Sequence, residues 1–313
     1  MNRIKSKLMM GCCFVCVGIM LSACANQPVE KRLFDHVVVI GIDGLTSEGL
    51  KNAETPVMDN LIANGAVKYD VRAVLPTVSA PNWGAMIHGA GPEATGITSN
   101  KWRPDGQWMP PVVKNKAGLF PGIFDIIREQ LPEAEQGAIF HWEGFGHLLQ
   151  ENMVNRYNTY DSAEETTRQA CDYIISKKPT FLFVHLDHVD GAGHGFGYKS
   201  DEYLKAVEKT DSLAGRIMES IRQAGIENNT LIMIVSDHGG MNRGHGGESE
   251  DELTVPVIYY GMGIKKNYKI QQTVYMYDVA ANVAFALNLN TPHSWTGRPT
   301  LPAFEGYSEP ENH

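Results

Sequence analysis

Five short runs of consecutive apolar residues constrain the fold of this chain more than any other feature. They are "HVVVIGID" from residue 36, "GAIFHW" from 137, "TFLFVHLDHVD" from 180, "TLIMIVSDHG" from 230 and "VPVIYYG" from 255. Runs of this kind suit strands buried on both faces, as in parallel sheets. Helical patterns separate most of them. We therefore expect one α/β domain over residues 33–308, built as a three-layer α/β/α sandwich with a mostly parallel central sheet.

The segments between the runs carry helix signals. "TPVMDNLIANG" has Pro56 near its start and Gly65 after its end, which is typical of a helix. In "DSAEETTRQACDYIISKK" the residues Asp161 and Glu164 have the spacing of a capping box. "SDEYLKAVEKTDSLAGRIMESIRQAG" is a long amphipathic pattern that ends at Gly225. A last helix is predicted over "MYDVAANVAFALN".

The amino terminus has the layout of an export signal. Three basic residues precede the apolar segment "LMMGCCFVCVGIML", and "LSAC" ends it at Cys24. "LSAC" resembles a bacterial lipoprotein box, which implies a signal peptide over 1–23 and an acylated Cys24 with a tether over 24–32. An uncleaved membrane anchor is the alternative, although the apolar run is short for a spanning helix. We expect a body in the cell envelope, periplasmic or extracellular, anchored to a lipid bilayer.

Charge and cysteine content narrow the possible partners. Removing residues 1–23 takes away three basic and no acidic side chains, so the formal net charge changes from −9 to −12. An acidic protein is poorly suited to gripping a long nucleic acid, and no nucleic acid polymer is expected as a partner. Cys171 is the only cysteine after Cys24, so the body has no disulfide framework.

Aspartate and histidine gather where the apolar runs end. The first run ends in "GIDG", the third in "DHVDGAGHG" and the fourth in "SDHGG", with "RGHGGE" shortly after. Ligands of open parallel sheets bind beyond the carboxyl ends of the strands. Mixed carboxylate and imidazole donors suit Zn²⁺ better than Mg²⁺ or Ca²⁺. The candidates exceed what one ion needs, which favours two ions, about 4 Å apart, that clamp a phosphoryl group.

These segments resemble motifs of the alkaline phosphatase superfamily and, within it, of the type I phosphodiesterase/nucleotide pyrophosphatase family. The similar segments are "GIDG", "PTVSAPNW", "HGAGPEATGITSN", "DGAGH" and "SDHGG", which occur in the family's order. The resemblance implies an alkaline phosphatase-like fold. It also implies two Zn²⁺ and the hydrolysis of small phosphoric esters, diesters above all, through a covalent phosphoserine. The implied metal ligands are Asp43, Ser79, Asp190, His194, Asp237, His238 and His245.

Some of the ligands have rivals. His245, in the glycine-rich "GHGG", departs from the larger family members, whose last ligand comes much later, and His293 is its rival. Asp187 and His188 are alternatives to the aspartate of "DGAGH", which the family spacing selects. His185 is interpreted as a strand residue or as a side chain that orients a ligand.

Two hydroxyl residues in "PTVSAPNW" are candidates for the nucleophile. The family register places it at Ser79, and Thr77 is the rival. Ser79 would begin a helix, where backbone N–H groups and the helix dipole favour the transferring phosphate. The resemblance makes Asn100 a catalytic and substrate-binding residue that donates hydrogen bonds to the phosphate oxygens.

The substrate is less determined than the reaction. Family members that favour nucleotides often carry an aromatic residue directly after the nucleophile, and this chain has Ala80 at that substrate-binding position. Base stacking is then left to Trp83, Trp102, Trp108 or Tyr198. An alkaline phosphatase-like monoesterase is the alternative, because Lys101 and Arg103 are placed to meet a second phosphate charge. A sulfatase ranks lower, since Trp83 stands where the sulfatase motif needs Arg. A catalytically silent binding lipoprotein is the last alternative.

Overall fold

An eight-stranded sheet organises the part of the chain that the computed structural model describes, residues 32–106 and 108–310. Its strands are β1 (His36–Ile42), β2 (Ala66–Arg72), β3 (Gln136–Phe140), β4 (Arg156–Thr159), β5 (Phe181–Leu186), β6 (Thr230–Val235), β7 (Thr254–Tyr260) and β8 (Tyr268–Lys269). Their order across the sheet is β4-β3-β5-β1-β6-β7-β2-β8. Strand β7 is antiparallel to both of its neighbours, and the other pairs are parallel.

Helices connect the strands. They are α1 (Ser47–Asn52), α2 (Pro56–Ala63), α3 (Ser79–His88), α4 (Pro92–Thr95), α5 (Ile123–Gln130), α6 (Glu143–Gly146), α7 (Ala163–Lys177), α8 (His188–Phe196), α9 (Asp201–Gln223), α10 (Glu250–Leu253) and α11 (Asp278–Ala286). Short 3₁₀ turns lie at Glu151–Met153, Glu227–Asn229 and Leu301–Ala303.

Alternate residues of β1 pack into two apolar clusters, one on each face of the sheet. Val37 and Val39 belong to the cluster that includes α3, α5 and α11. Val38, Ile40 and Ile42 belong to the cluster that includes α2, α7 and α9. Because successive strand residues point to opposite faces, the sheet lies between two layers of helices. This confirms the predicted three-layer α/β/α fold with a mostly parallel sheet.

The longest helix, α9, ties the second helical layer together. Its buried stripe recurs at helical spacing and consists of Tyr203, Val207, Ala214, Ile217 and Ile221. Asp211 on the same helix accepts hydrogen bonds from the N–H groups of Val57 and Met58, at 3.0 and 2.7 Å. The carboxylate of α9 therefore satisfies the open amino end of α2, which the helix dipole also favours.

Strand register places the ends of β1, β5 and β6 at one level. Ile42 pairs with Leu186, and Gly41 pairs with Val235. The polar residues that follow these strands therefore emerge side by side at the carboxyl edge of the sheet.

All five apolar runs form strands, which are β1, β3, β5, β6 and β7. Strand β2 was not predicted, because Lys68 and Asp70 interrupt its apolar pattern and a bulge separates Lys68 from Val71. In the sheet, β2 pairs with β7 and β8, and Arg72 at its end forms a bridge with Tyr275.

The predicted capping box at the start of α7 is wrong. The helix begins at Ala163, and the Ser162 hydroxyl accepts the N–H of Glu165 at 3.2 Å. Asp161 lies one residue too early to reach the open N–H groups of the first turn. The cap therefore lies one residue later than Asp161.

The predicted signal peptide and the predicted acylation site at Cys24 fall within residues 1–31, outside the described residues. Within the described ranges, no helix combines the length and the apolar character that crossing a membrane requires.

His88 lies in the core at the carboxyl end of α3. It is 3% exposed, its Nδ1–H donates to the Gly84 carbonyl at 2.8 Å, and its ring packs edge-on against Phe120. Burial lowers the pKa of His88 to about 4. The native protein therefore holds His88 neutral at a pH where the unfolded chain would protonate it.

We expect His88 to make the protein less stable in acid. Between its unfolded pKa, about 6.5, and the folded value, the unfolded state binds the extra proton, so the free energy of unfolding falls as pH falls. From pH 7 to pH 5, metal-free wild type should lose about 2 kcal/mol more than His88→Gln in urea unfolding. His293→Gln, which removes an exposed histidine, is the control. Parallel pH profiles of wild type and His88→Gln would contradict the assignment.

Candidate active site

The carboxyl edge of the sheet gathers the predicted ligand residues from three neighbouring strands. They are Asp43 after β1, Asp190 and His194 on α8 after β5, and Asp237, His238 and His245 in the connection from β6 to β7. Gly44 makes the turn after Asp43 possible with a φ of 69°, and a Cβ there would lie 3.0 Å from Asp190.

The first group consists of Asp43, Asp237, His238 and Ser79, all buried. The Nδ1–H of His238 donates to the Gly239 carbonyl at 2.9 Å, which leaves Nε2 as a lone pair. That Nε2 lies 3.4 Å from Asp43 Oδ1, 3.2 Å from Asp237 Oδ2 and 3.3 Å from Ser79 Oγ. Three acceptor atoms and one hydroxyl therefore converge in the interior.

The first group fits a metal ion. Asp43 Oδ1 and Asp237 Oδ2 are buried and have no hydrogen-bond partner among the described residues. Burial and the neighbouring Asp237 raise the pKa of Asp43 well above its usual value. Burial and Asp190 raise the pKa of Asp237 to about 8. Converging lone pairs without a donor are costly in a dry interior, and a bound cation would reverse both shifts.

The second group consists of Asp190, His194 and His245. Each histidine donates Nδ1–H to a backbone carbonyl, His194 to Arg243 at 2.9 Å and His245 to Thr77 at 2.8 Å. Their Nε2 lone pairs then face each other at 3.1 Å, and lie 3.3 and 3.7 Å from the Asp190 oxygens. Two imidazole lone pairs do not bond each other, so this group also fits a cation.

The alternatives to these candidate ligands belong to neither of the two groups. His293 is exposed and belongs to none of the Asp/His groups of the described residues. His188 bonds through Nε2 to the Thr210 hydroxyl at 3.0 Å. Asp187 forms a third group with Asp43 and His185. In that group, Asp43 Oδ2 already accepts a hydrogen bond from His185 Nε2 at 3.1 Å.

The two candidate nucleophiles of "PTVSAPNW" have different surroundings. Ser79 is the first residue of α3 and is 6% exposed, with Oγ in the first group. Thr77 is fully buried, and its hydroxyl donates to the Gly247 carbonyl at 2.7 Å and accepts the Gly246 N–H at 3.1 Å. The backbone carbonyl of Thr77 accepts the Nδ1–H of His245. Thr77 therefore fixes the position of a candidate ligand residue instead of facing the site.

Asn100 bonds to the start of α3. Its Oδ1 accepts the Ala80 N–H at 2.7 Å, which leaves its Nδ2 as the available donor. Pro81 has no N–H, and Ala80 is 3% exposed. The amino end of α3 therefore has fewer free backbone N–H groups for a phosphate than its sequence suggests. The Ser79 N–H stays available, since no acceptor for it exists in the described part of the chain.

Sequence reasoning missed the role of Asn82. Its Nδ2 lies within hydrogen-bond distance of the carbonyls of Val74, Pro76 and Val78, and its Oδ1 accepts the Val74 N–H at 2.7 Å. Asn82 therefore fixes the backbone of the loop before Ser79. The "PN" of "PTVSAPNW" marked Asn82 in the sequence, but residue spacing alone did not predict its contacts with the loop backbone.

Most of the aromatic residues considered for base stacking are buried. Trp83 is fully buried and donates Nε1–H to Asp43 Oδ2 at 3.0 Å. Tyr198 is 2% exposed, and its hydroxyl donates to Asp190. Trp102 is 6% exposed, whereas Trp108 is 97% exposed. Of the four, Trp108 alone presents its ring to solvent.

The sheet topology and two potential metal-binding groups at its carboxyl edge define an alkaline phosphatase-like α/β protein. Residues 37–243, more than half of the chain, match the family model "Type I phosphodiesterase / nucleotide pyrophosphatase". The chain belongs to this family, which confirms the resemblance of its motifs.

Curated relatives are similar over part of their length. Ectonucleotide pyrophosphatase/phosphodiesterase family member 3 of Rattus norvegicus is 26% identical over 233 residues, covering 69% of this chain and 26% of that protein. Human bis(5'-adenosyl)-triphosphatase ENPP4 is 25% identical over 224 residues, covering 67% of this chain and 48% of that protein. The chain therefore spans between about a quarter and a half of these relatives.

Solved structures share the fold. An inactive variant of murine ENPP5 in complex with AMP superposes with a TM-score of 0.69 at 16% identity, covering 83% of this chain and 96% of that one. A 2-O GAG sulfatase gives a TM-score of 0.72 at 14% identity, covering 90% of this chain and 76% of that one.

Proposed function

We propose that this chain hydrolyses small phosphoric diesters with two bound Zn²⁺ and a covalent phosphoserine at Ser79. The observation that carries the proposal is Ser79 Oγ, 3.3 Å from His238 Nε2, inside a buried group in which Asp43 Oδ1 and Asp237 Oδ2 have no donor among the described residues. A hydroxyl in such a position is suited to act as a nucleophile rather than as a structural group.

The donor sets favour zinc over other divalent ions. The first group would hold one ion through Asp43, Asp237, His238 and Ser79, and the second would hold one through Asp190, His194 and His245. Mixed oxygen and nitrogen ligands suit Zn²⁺, and three protein ligands leave a position for water or substrate.

The chain's own residues then divide the reaction. When bound, the ions would supply Lewis acidity that lowers the pKa of the Ser79 hydroxyl and of a water molecule. Ser79 Oγ loses its proton and forms a bond to phosphorus. The bond to the leaving alcohol breaks with its electron pair on the alcohol oxygen, which takes up a proton from solvent. The Asn100 Nδ2 and the Ser79 N–H donate to the phosphoryl oxygens as charge grows on them. A water oxygen then forms a bond to phosphorus, the bond from phosphorus to Ser79 Oγ breaks, and the proton that the water loses restores the Ser79 hydroxyl.

We propose that the site does not hold the organic group of its substrate by stacking it as a nucleotide base. The names of the relatives point to nucleotides, but the Ala80 methyl, Trp83 and Tyr198 are buried. The monoesterase alternative draws on the exposed Lys101 and Arg103, although Arg103 Nη1 already donates to the carbonyls of Asn100 and Trp102.

We also propose that the protein is anchored in the cell envelope through Cys24. We expect full-length protein expressed in a bacterium to incorporate labelled fatty acid and to sediment with membranes. Cys24→Ser should abolish both, and Cys171→Ser should change neither. Labelling that persists in Cys24→Ser would contradict acylation at this residue.

We expect Ser79→Ala to lose activity at least about 1,000-fold while it keeps its metal ions, because the nucleophile is gone. The assay compares bis-aryl phosphate, mono-aryl phosphate, aryl sulfate and a nucleotide ester, with acid-quenched mass spectrometry for the phosphoserine. Thr77→Val removes the rival hydroxyl and should still form the phosphoserine, with turnover lowered only as far as the loss of the hydrogen bonds to Gly246 and Gly247 displaces His245. Full activity of Ser79→Ala would refute the nucleophile, and cleavage of the sulfate alone would favour the sulfatase alternative.

We expect two zinc ions per chain after gentle purification, measured by elemental analysis. Asp237→Asn should lose one ion and His245→Ala the other, while His293→Ala keeps both, because His293 contacts neither group. A chelator should abolish hydrolysis and added Zn²⁺ should restore it. Loss of an ion in His293→Ala with retention in His245→Ala would reverse the choice of ligand.

A further inference from the structure

Two neutral side chains hold one oxygen of Asp43. Trp83 Nε1–H donates to Asp43 Oδ2 at 3.0 Å, and His185 Nε2 lies 3.1 Å from the same oxygen. Oδ1 has no donor in the described part of the chain and faces His238. We propose that Trp83 and His185 are positioning residues that aim Asp43 Oδ1 at the ion of the first group. This inference rests on the two-metal site proposed above.

The position of Trp83 is fixed by its packing. Its ring meets Phe145, Phe183 and His185 edge-on, with centroids 5.9, 5.8 and 4.9 Å apart. Gly41 lies under the ring, since a Cβ there would come within 2.7 Å of it. The indole has no room to turn its N–H away from Asp43, so the hydrogen bond is built into the core.

Trp83 also couples Asp43 to the nucleophile. Ser79 and Trp83 are four residues apart on α3, so they lie on the same face of the helix one turn apart. One turn of α3 therefore sets the distance from the Ser79 hydroxyl to the other members of the first group. The same turn holds Asp43 Oδ2 through Trp83. A shift of this turn would displace nucleophile and ligand together.

His185 contributes a hydrogen bond that cannot be replaced locally. It is fully buried, and its Nδ1 has no partner among the described residues. Phe145 and Trp142 pack beside its ring, with centroids 5.3 and 6.3 Å away. Its N–H on Nε2 therefore has Asp43 as its acceptor, and the ring tautomer follows from that contact. Neutral donors also leave the charge of Asp43 available to the ion, whereas a cation at position 83 would compete for it.

The test measures the two metal affinities separately, by competition with a chromophoric chelator. Trp83→Phe keeps a ring and deletes the donor, and should weaken one of the two ions about 10–100-fold while the other is unchanged. Phe145→Leu disturbs the same packing without touching Asp43 and serves as the control. Wild-type affinity for both ions in Trp83→Phe would overturn the proposal. So would a Trp83→Phe protein that loses the same affinity at each of its two sites as Phe145→Leu does.

A second pair of variants decides the matter if Trp83→Phe does not fold. His185→Gln retains an N–H donor and should keep affinity close to that of wild type, whereas His185→Met removes the donor and should weaken the same single ion. Equal affinities in the two variants would refute the role of His185. A wild type that binds both ions but cleaves no ester would refute the proposed function alone, since the titration does not depend on turnover.

Discussion

The parallel register of β1 with β5 and β6 is the constraint on which the site depends. It brings the ends of three strands to one level, and each strand delivers acidic or imidazole side chains there. Backbone hydrogen bonds of the sheet thus hold several acceptor atoms together that would otherwise repel one another. The apolar clusters on both faces supply the stability that such a concentration of buried carboxylates requires.

The sequence was most informative about the strands, although the local signal of a capping box at Asp161 was wrong. The apolar runs predicted five strands, and an Asp or His at the end of a run predicted which edge carries the site. It failed where a contact joins distant residues. Asp43 and His185 are 142 positions apart, and no spacing indicates that they share a hydrogen bond. Strand β2 was missed because its place near the edge of the sheet tolerates polar residues. That place depends on pairing with strands far along the chain, which no local pattern indicates.

Neighbouring polar side chains of the "PTVSAPNW" motif make different contacts. Thr77, Ser79 and Asn82 lie within six residues, yet their polar atoms face three different groups. Thr77 bonds to the loop that carries His245, Asn82 holds its own backbone, and Ser79 faces the first Asp/His group. Which hydroxyl faces that group is a matter of side-chain direction, which residue type alone does not specify.

The position of β2 in the sheet has a consequence for synthesis on the ribosome. Its partner strands in the described part of the chain, β7 and β8, are made almost two hundred residues later. The segment that carries Ser79 follows β2 directly, so its anchor in the sheet stays unpaired until residues 254–269 have emerged. The potential metal ligands are all translated by His245, before that anchor can form. Assembly of this site is therefore a late event in synthesis, because the strand that precedes Ser79 joins the sheet only after β7 has been made.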